Sequence, residues 1–163
     1  MLFDGTKMPV AEFHDRFMQE ALAQARLAAD QGEVPVGAVI VCQDQVIAAA
    51  HNRRECDQDP TAHAEILAIR KAAAALGSWR LEDCTVYVTL EPCSMCAGAM
   101  VLSRVHRCVY GTTDPKGGFV GTLGDLSNHP ELNHSFEVVA GVRAEESSEL
   151  LKVFFQQLRQ RSG

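Results

Sequence analysis

The sequence has no excess of positive charge. Its 15 lysines and arginines are outnumbered by 21 aspartates and glutamates, so the net charge is −6. A protein that holds nucleic acid over a broad surface is expected to carry a basic face. The composition therefore argues against such a surface and leaves room for a local basic patch around one pocket.

Long apolar runs are also missing. No segment approaches the length of a transmembrane helix, and residues 1–5 lack the basic segment and apolar core of a signal peptide. Six cysteines without such a signal indicate a reducing compartment, where metal binding or burial is favoured over disulfide formation. We therefore expect a cytoplasmic protein that does not associate with membranes.

Repeats, low-complexity stretches and linkers are absent too, so we expect residues 1–163 to form a single domain. Hydrophobic periodicity predicts helices over residues 9–31, 61–76 and 146–160, and Pro92 predicts the start of another helix. Apolar runs predict strands over residues 36–42, 46–50, 85–90, 107–110 and 136–142. Residues 52–60 and 112–134 are predicted to be loops. Because strands alternate with helices and the first two strands form a hairpin, the pattern predicts a three-layer α/β domain with a mixed sheet and helices on both faces.

Two cysteines and one histidine are the residues most typical of a metal site. Cys93 and Cys96 are three residues apart at a predicted helix start, which places both sulfurs on one side and favours their thiolate forms. His63 supplies a third ligand. Three protein ligands leave one position of a tetrahedral zinc ion open, as in catalytic rather than structural zinc sites. The alternative is that the cysteines are small buried residues.

Glu65 is the candidate acid–base group. A water activated by zinc needs a neighbouring base, and a leaving amine needs a proton, and one carboxyl can serve both. Glu65 and His63 are two residues apart and do not share a helix face, so both can reach one site only if they lie at the open end of a helix. Otherwise Glu65 is a surface carboxylate. The combination predicts zinc-assisted hydrolysis, and more narrowly deamination.

These motifs resemble the zinc-dependent cytidine and adenosine deaminases, with their His-x-Glu and Pro-Cys-x-x-Cys signature. Within that superfamily the chain is similar to the bacterial-type tRNA-specific adenosine deaminases over nearly its whole length. The segments that carry the resemblance are residues 33–39 (EVPVGAV), 59–65 (DPTAHAE), 89–100 (TLEPCSMCAGAM), 110–118 (YGTTDPKGG), 133–134 (NH) and 154–155 (FF).

The resemblance implies a cytidine deaminase-like fold with a five-stranded mixed sheet, one Zn²⁺ per subunit and a homodimer. It also implies conversion of adenosine to inosine at the wobble position of a tRNA anticodon stem-loop. Asn52 is expected to bind the target nucleoside, Val36 to line its pocket and Asp114 to contact its sugar or neighbouring nucleotides. The alternative is that Asn52 is a turn residue after the hairpin and that Asp114 begins an Asp-Pro turn.

The tail departs from the family pattern. Members often carry a cluster of arginines after the paired phenylalanines, whereas here Arg159 and Arg161 are the basic residues that remain. Six other cations are candidates for a basic patch: Arg53, Arg54, Arg80, Arg104, Arg107 and Lys116. Two other functions stay open: deamination of a free base, nucleoside or nucleotide of the guanine or cytosine type, and a non-catalytic zinc-stabilised module that binds nucleic acid.

Overall fold

A computed structural model describes residues 8–162 of the protein. The expectation that residues 1–5 hold no signal peptide lies outside the described residues. Within residues 8–162, none of the helices combines the length and hydrophobicity that a bilayer crossing requires.

A five-stranded mixed sheet forms the centre of the fold, with the strand order β2-β1-β3-β4-β5. The strands are β1 (Gly37–Cys42), β2 (Gln45–His51), β3 (Cys84–Leu90), β4 (Arg107–Thr112) and β5 (Glu137–Val139). β1 pairs antiparallel with β2 and β3, while β3–β4 and β4–β5 are parallel. The mixed sheet and the hairpin are confirmed. β1 is almost entirely buried because it lies inside the sheet and both its faces are covered.

Helices cover both faces of this sheet. The helices are α1 (Val10–Asp30), α2 (Arg54–Asp57), α3 (Ala64–Leu76), α4 (Ser94–Ser103) and α5 (Ala144–Ser162). One core lies beneath α1, where Phe17, Met18 and Leu22 pack against Tyr87 of β3. The second lies beneath α3 and α4, where alanines of α3 allow a close approach to β1 and β2. The three-layer α/β architecture is therefore confirmed.

Close packing of α1 on β1 depends on Gly37. A Cβ atom at this position would overlap the backbone of Ala21 and Ala25 in α1. Glycine is therefore required by the contact between helix and strand.

Several predicted element boundaries were wrong, each for a local reason. Residues 52–60 contain the short helix α2, because the Asn52 side chain and the distant Glu33 carboxylate accept from its first two N–H groups. α3 begins at Ala64 rather than residue 61, since the Asp59 carboxylate holds Thr61 in a turn. α4 begins at Ser94, two residues after Pro92, and α5 runs from Ala144 to Ser162. β5 is three residues long because Gly141 (φ 82°) turns the chain away after it.

Candidate active site

The starts of α3 and α4 bring the predicted metal ligands together. His63 directly precedes α3 and Cys93 directly precedes α4, each with an extended backbone. The Nδ1 atom of His63 lies 3.5 Å from the Sγ atom of Cys93 and 3.5 Å from that of Cys96. Potential ligand atoms of the three residues all lie within 4.8 Å of one another. One nitrogen and two sulfurs around one point form a donor set that suits a zinc ion.

The pKa values of the two cysteine thiols are shifted in opposite directions. The Cys96 thiol donates a hydrogen bond to the Cys93 sulfur, and this bond, with a further one from His63, lowers the pKa of Cys93 to about 4. The same bond, together with burial, raises the pKa of Cys96. The hydrogen bond between His63 and Cys93 raises the pKa of His63. Both shifts favour a thiolate on Cys93 with the shared proton on Cys96, and a divalent cation would displace that proton.

Glu65 lies in the first turn of α3 and is 4% exposed. Burial is the main cause that raises the pKa of its carboxyl, with the nearby Cys93 thiolate adding to the effect. Glu65 does not belong to the group of three metal-ligating side chains. A buried carboxyl that holds its proton more tightly than usual is suited to accept and return a proton near neutral pH.

A cavity of about 180 Å³ opens beside these groups. It is smaller than the roughly 300–1,000 Å³ of typical small-molecule pockets, so it suits a single small group. Cys96 is fully buried and does not line the cavity. The other six predicted site residues do: Val36, Asn52, His63, Glu65, Cys93 and Asp114. The fold thus joins residues from five separate parts of the chain.

Asn52 and Asp114 also hold turns, as the alternative interpretation predicts. The Asn52 amide donates to the Val34 carbonyl at 3.2 Å, and its oxygen accepts from the Arg54 N–H at 3.2 Å. The Asp114 carboxylate accepts from the Lys116 N–H at 3.0 Å. Both side chains are held by these bonds where they line the cavity.

The sequence interpretation missed the role of Glu91, which is buried and lines the same cavity. Its Oε1 atom accepts from the Asp114 N–H at 3.1 Å and the Thr122 hydroxyl at 2.5 Å. Its Oε2 atom accepts from the N–H groups of Val120 at 3.3 Å and Thr122 at 3.2 Å. A Cβ on Gly118 would overlap this carboxylate. The available signal was a charged residue directly between a buried strand and Pro92.

Glu33 was also missed. It is 1% exposed, and its Oε1 atom accepts from the Glu55 N–H at 2.9 Å. Its Oε2 atom has no hydrogen-bond partner among residues 8–162. Glu33 thus fixes the start of α2, the helix that follows Asn52.

A wider groove of about 700 Å³ shares Val34, Arg54, Leu90 and Asp114 with the cavity. Four cations line it: Arg54, Lys116, Lys152 and Arg159. In the part of the chain that the structure describes, none of the four takes part in an ion pair. The groove therefore carries an excess of positive charge in an acidic protein.

The other predicted cations lie elsewhere. Ion pairs join Arg53 to Asp57, Arg80 to Glu82, and Arg107 to Glu137, while Arg104 donates to the Val101 carbonyl. None of these four candidates lines the groove. Lys152, on α5, was not among the candidates.

The chain matches the family model of the MafB19-like deaminases over residues 12–159. It is similar to the tRNA-specific adenosine deaminase of Bacillus subtilis, with 54% identity over 145 residues, covering 89% of this chain and 90% of that protein. It is also similar to the tRNA-specific adenosine deaminase of Agrobacterium fabrum, with 46% identity over 143 residues, covering 88% of this chain and 94% of that protein.

Solved structures of two deaminases have the same fold. One comes from work on A-to-I editing by tRNA:A34 deaminases at the wobble position; it has a TM-score of 0.81 and 46% identity, covering 83% of this chain and 99% of that chain. The other, from work on guanine deaminase of Nitrosomonas europaea, has a TM-score of 0.70 and 27% identity, covering 86% of this chain and 83% of that chain.

Proposed function

The chain belongs to the tRNA-specific adenosine deaminases, within the MafB19-like deaminase family, and we propose that it converts the wobble adenosine of a tRNA anticodon to inosine. The proposal depends on one observation, which is that the cavity at the candidate metal site adjoins the basic groove. A small cavity holds the His63, Cys93 and Glu65 side chains, and it opens into a groove lined by unpaired cations.

His63, Cys93 and Cys96 would hold one zinc ion per subunit. The donor set fits, because one imidazole nitrogen and two sulfurs converge and the Cys93 pKa is already about 4. When bound, zinc supplies an activated water for attack on C6 of adenine. Three protein ligands leave room for that water, and the cavity gives the base access to it.

Glu65 would move the protons of the reaction. Its carboxyl is buried at the start of α3, beside His63 and in contact with the Cys96 thiol. It would take a proton from the attacking water and deliver it to the ring nitrogen. It would then take the remaining proton of the added oxygen and deliver it to the amino group, which leaves as ammonia. Burial supports this role since it raises the pKa of the carboxyl towards neutral pH.

Val36, Asn52 and Asp114 would form the nucleoside pocket. Val36 supplies an apolar wall, and the Asn52 amide is held in place by the Val34 carbonyl and the Arg54 N–H. Asp114 lies where the cavity meets the groove, a position that suits contact with the ribose or the next nucleotide. The target base must leave its stack to enter, which costs least in an anticodon loop.

The groove would bind the RNA that flanks the target base. Arg54, Lys116, Lys152 and Arg159 can neutralise phosphates, and the exposed Phe155 ring lies between Lys152 and Arg159 on α5. An exposed aromatic ring among cations is typical of surfaces that bind single-stranded nucleic acid. This local charge supports an anticodon stem-loop as the partner despite the net charge of −6.

We further propose a cytoplasmic homodimer. On α4, Leu102 is 72% exposed. The Leu81 N–H donates to the Ser103 carbonyl, which brings the segment with the exposed Trp79 alongside the end of α4. Such apolar exposure supports association of two copies here. Light scattering should give twice the chain mass, and Leu102→Glu should give the monomer mass; a monomer at every concentration would contradict the proposal.

The decisive experiment offers zinc-loaded protein an anticodon stem-loop with adenosine at the wobble position, and separately free adenosine, guanine and cytidine. Nucleoside analysis should find inosine in the stem-loop and no product from the free compounds. Glu65→Ala should keep zinc and fold but lose turnover. Deamination of a free base with an untouched stem-loop would support the guanine-deaminase type instead. Absence of turnover by the unaltered protein would favour a non-catalytic module.

Salt dependence tests the groove separately. Each neutralised phosphate of a single strand contributes about −0.7 to the slope of log K against log salt, so four cations predict a slope of about −3. Lys152→Ala should weaken binding of the stem-loop and make the slope less steep by the contribution of about one phosphate contact. Arg26→Ala is the matched control, since Arg26 pairs with Glu146 and does not line the groove. Equal effects of the two substitutions would refute the assignment.

A further inference from the structure

Cys42 and Cys84 face each other across two neighbouring strands. Cys42 is the last residue of β1, Cys84 is the first of β3, and the antiparallel register pairs them directly. Both are free thiols. Cys84 belongs to the core beneath α3 and α4, and Cys42 packs against the same core, so their side chains lie on one face of the sheet.

Main-chain bonding defines the type of this cross-strand pair. The Cys84 N–H donates to the Leu81 carbonyl at 3.0 Å, and the Cys84 carbonyl accepts from the His106 N–H at 3.0 Å. Neither group bonds Cys42, so this is a non-hydrogen-bonded pair, the type in which Cα atoms are about 4.5 Å apart and side chains are closest. Disulfides require Cα separations of about 4.4–6.8 Å. The spacing typical of this pair type therefore falls within the range that a disulfide needs.

The two thiols differ in reactivity. Cys84 is 1% exposed, and burial, with the adjacent Cys42 thiol adding to the effect, raises its pKa to about 12. Cys42 is half-buried at the strand end, so it is the more accessible of the two residues. One accessible thiol beside one protected thiol is the arrangement of an attacking and a resolving cysteine.

We propose that Cys42 and Cys84 are a thiol modification site that forms a reversible intrachain disulfide with small disulfide oxidants such as glutathione disulfide. The Cys42 thiol loses its proton and attacks one glutathione sulfur; a mixed disulfide forms and one glutathione thiolate leaves. The Cys84 thiol then loses its proton and attacks the Cys42 sulfur, releasing the second glutathione thiolate. Two protein thiols are oxidised by two electrons, and one disulfide is reduced to two thiols.

This disulfide would stabilise the fold without touching the active site. The cavity lies at the other ends of the same strands, where Val36 precedes β1 and Leu90 ends β3. The closed loop contains β2, α2 and α3, and with them His63 and Glu65. Cross-linking restricts the unfolded chain, so the oxidised protein should unfold at higher temperature with unchanged turnover.

The test uses zinc-loaded protein, in which Cys93 and Cys96 are held as ligands, with the substitution Cys56→Ser because Cys56 is exposed. The protein is equilibrated in buffers of graded glutathione to glutathione-disulfide ratio. Intact mass should fall by two hydrogens, and digestion should yield a peptide linking Cys42 to Cys84. Reductant should reverse both changes, and Tm should rise by roughly 5–10 °C in the oxidised form.

Two variants keep the proposal falsifiable. Cys84→Ala should retain a stable glutathione adduct on Cys42, because no second thiol resolves it. Cys42→Ser should take up no glutathione at Cys84. A protein that stays reduced in pure glutathione disulfide, stops at the mixed disulfide, or links other cysteines would overturn the proposal.

Discussion

Replacing Glu91 with glutamine should destabilise the protein strongly although the side chain keeps its shape. Both carboxylate oxygens accept hydrogen bonds, Oε1 from Asp114 and Thr122, Oε2 from Val120 and Thr122. Glutamine has one acceptor oxygen, so its NH₂ group faces at least one N–H donor. In the better orientation the NH₂ group replaces Oε1: the Thr122 hydroxyl can turn to accept from it, the Asp114 bond is lost, and the remaining bonds no longer involve a charge. The lost bond is worth about 1.5–3 kcal/mol and each of the three others weakens by roughly 1 kcal/mol when the charge is removed, so the loss should be about 3–5 kcal/mol, allowing for relaxation.

Thermal and chemical denaturation measure this loss. A chain of this size shifts in Tm by about 2–4 °C per kcal/mol, so Tm should fall by roughly 10 °C. Zinc content should stay unchanged, while stem-loop binding should weaken because Asp114 lines both cavity and groove. Glu20→Gln, on the exposed side of α1, is the matched control and should change stability by less than about 0.5 kcal/mol. A Glu91→Gln loss below about 1 kcal/mol would refute the argument that this carboxylate holds the loop.

Three further predictions concern packing, metal and pH. Gly37→Ala should prevent α1 from seating on β1 and lower Tm by roughly 10 °C or more; an unchanged Tm would contradict this contact. Removal of zinc by a chelator should abolish turnover and lower the free energy of unfolding, by about 4 kcal/mol relative to protein with free zinc at 1,000 times Kd. The Arg143 guanidinium beside Asp15 lowers the pKa of that carboxyl below 3.8. The ion pair therefore stabilises the folded protein above pH 3.8, and this stabilisation is lost as the pH falls further and the carboxyl is protonated. Asp15→Asn should therefore lower Tm at pH 7, and the difference from the unaltered protein should vanish in acid; a constant difference would refute the ion-pair explanation.

Local chemistry in the sequence was sufficient to predict the main elements and the candidate metal ligands. Apolar runs and helical periodicity depend on neighbouring residues alone, so the five strands and the long helices could be recognised before any contact was known. Cys93 and Cys96 could be paired for the same reason, since three residues of helix bring them together. Their roles as ligands, and that of Glu65 in proton transfer, stay predictions.

Tertiary structure alone decided which distant groups meet. α2 forms because the Glu33 carboxylate, some twenty residues earlier, accepts from the Glu55 N–H, and no pattern within residues 52–60 reveals that partner. The basic groove combines Arg54 from α2, Lys116 from a loop and Lys152 from α5, while similar arginines pair with acids elsewhere. Periodicity reports which face of an element is buried, but not which element lies against it. The fold therefore determines the charge near the pocket, the hydrogen bonds of Glu91 and the pairing of Cys42 with Cys84. The order of the residues alone does not reveal them.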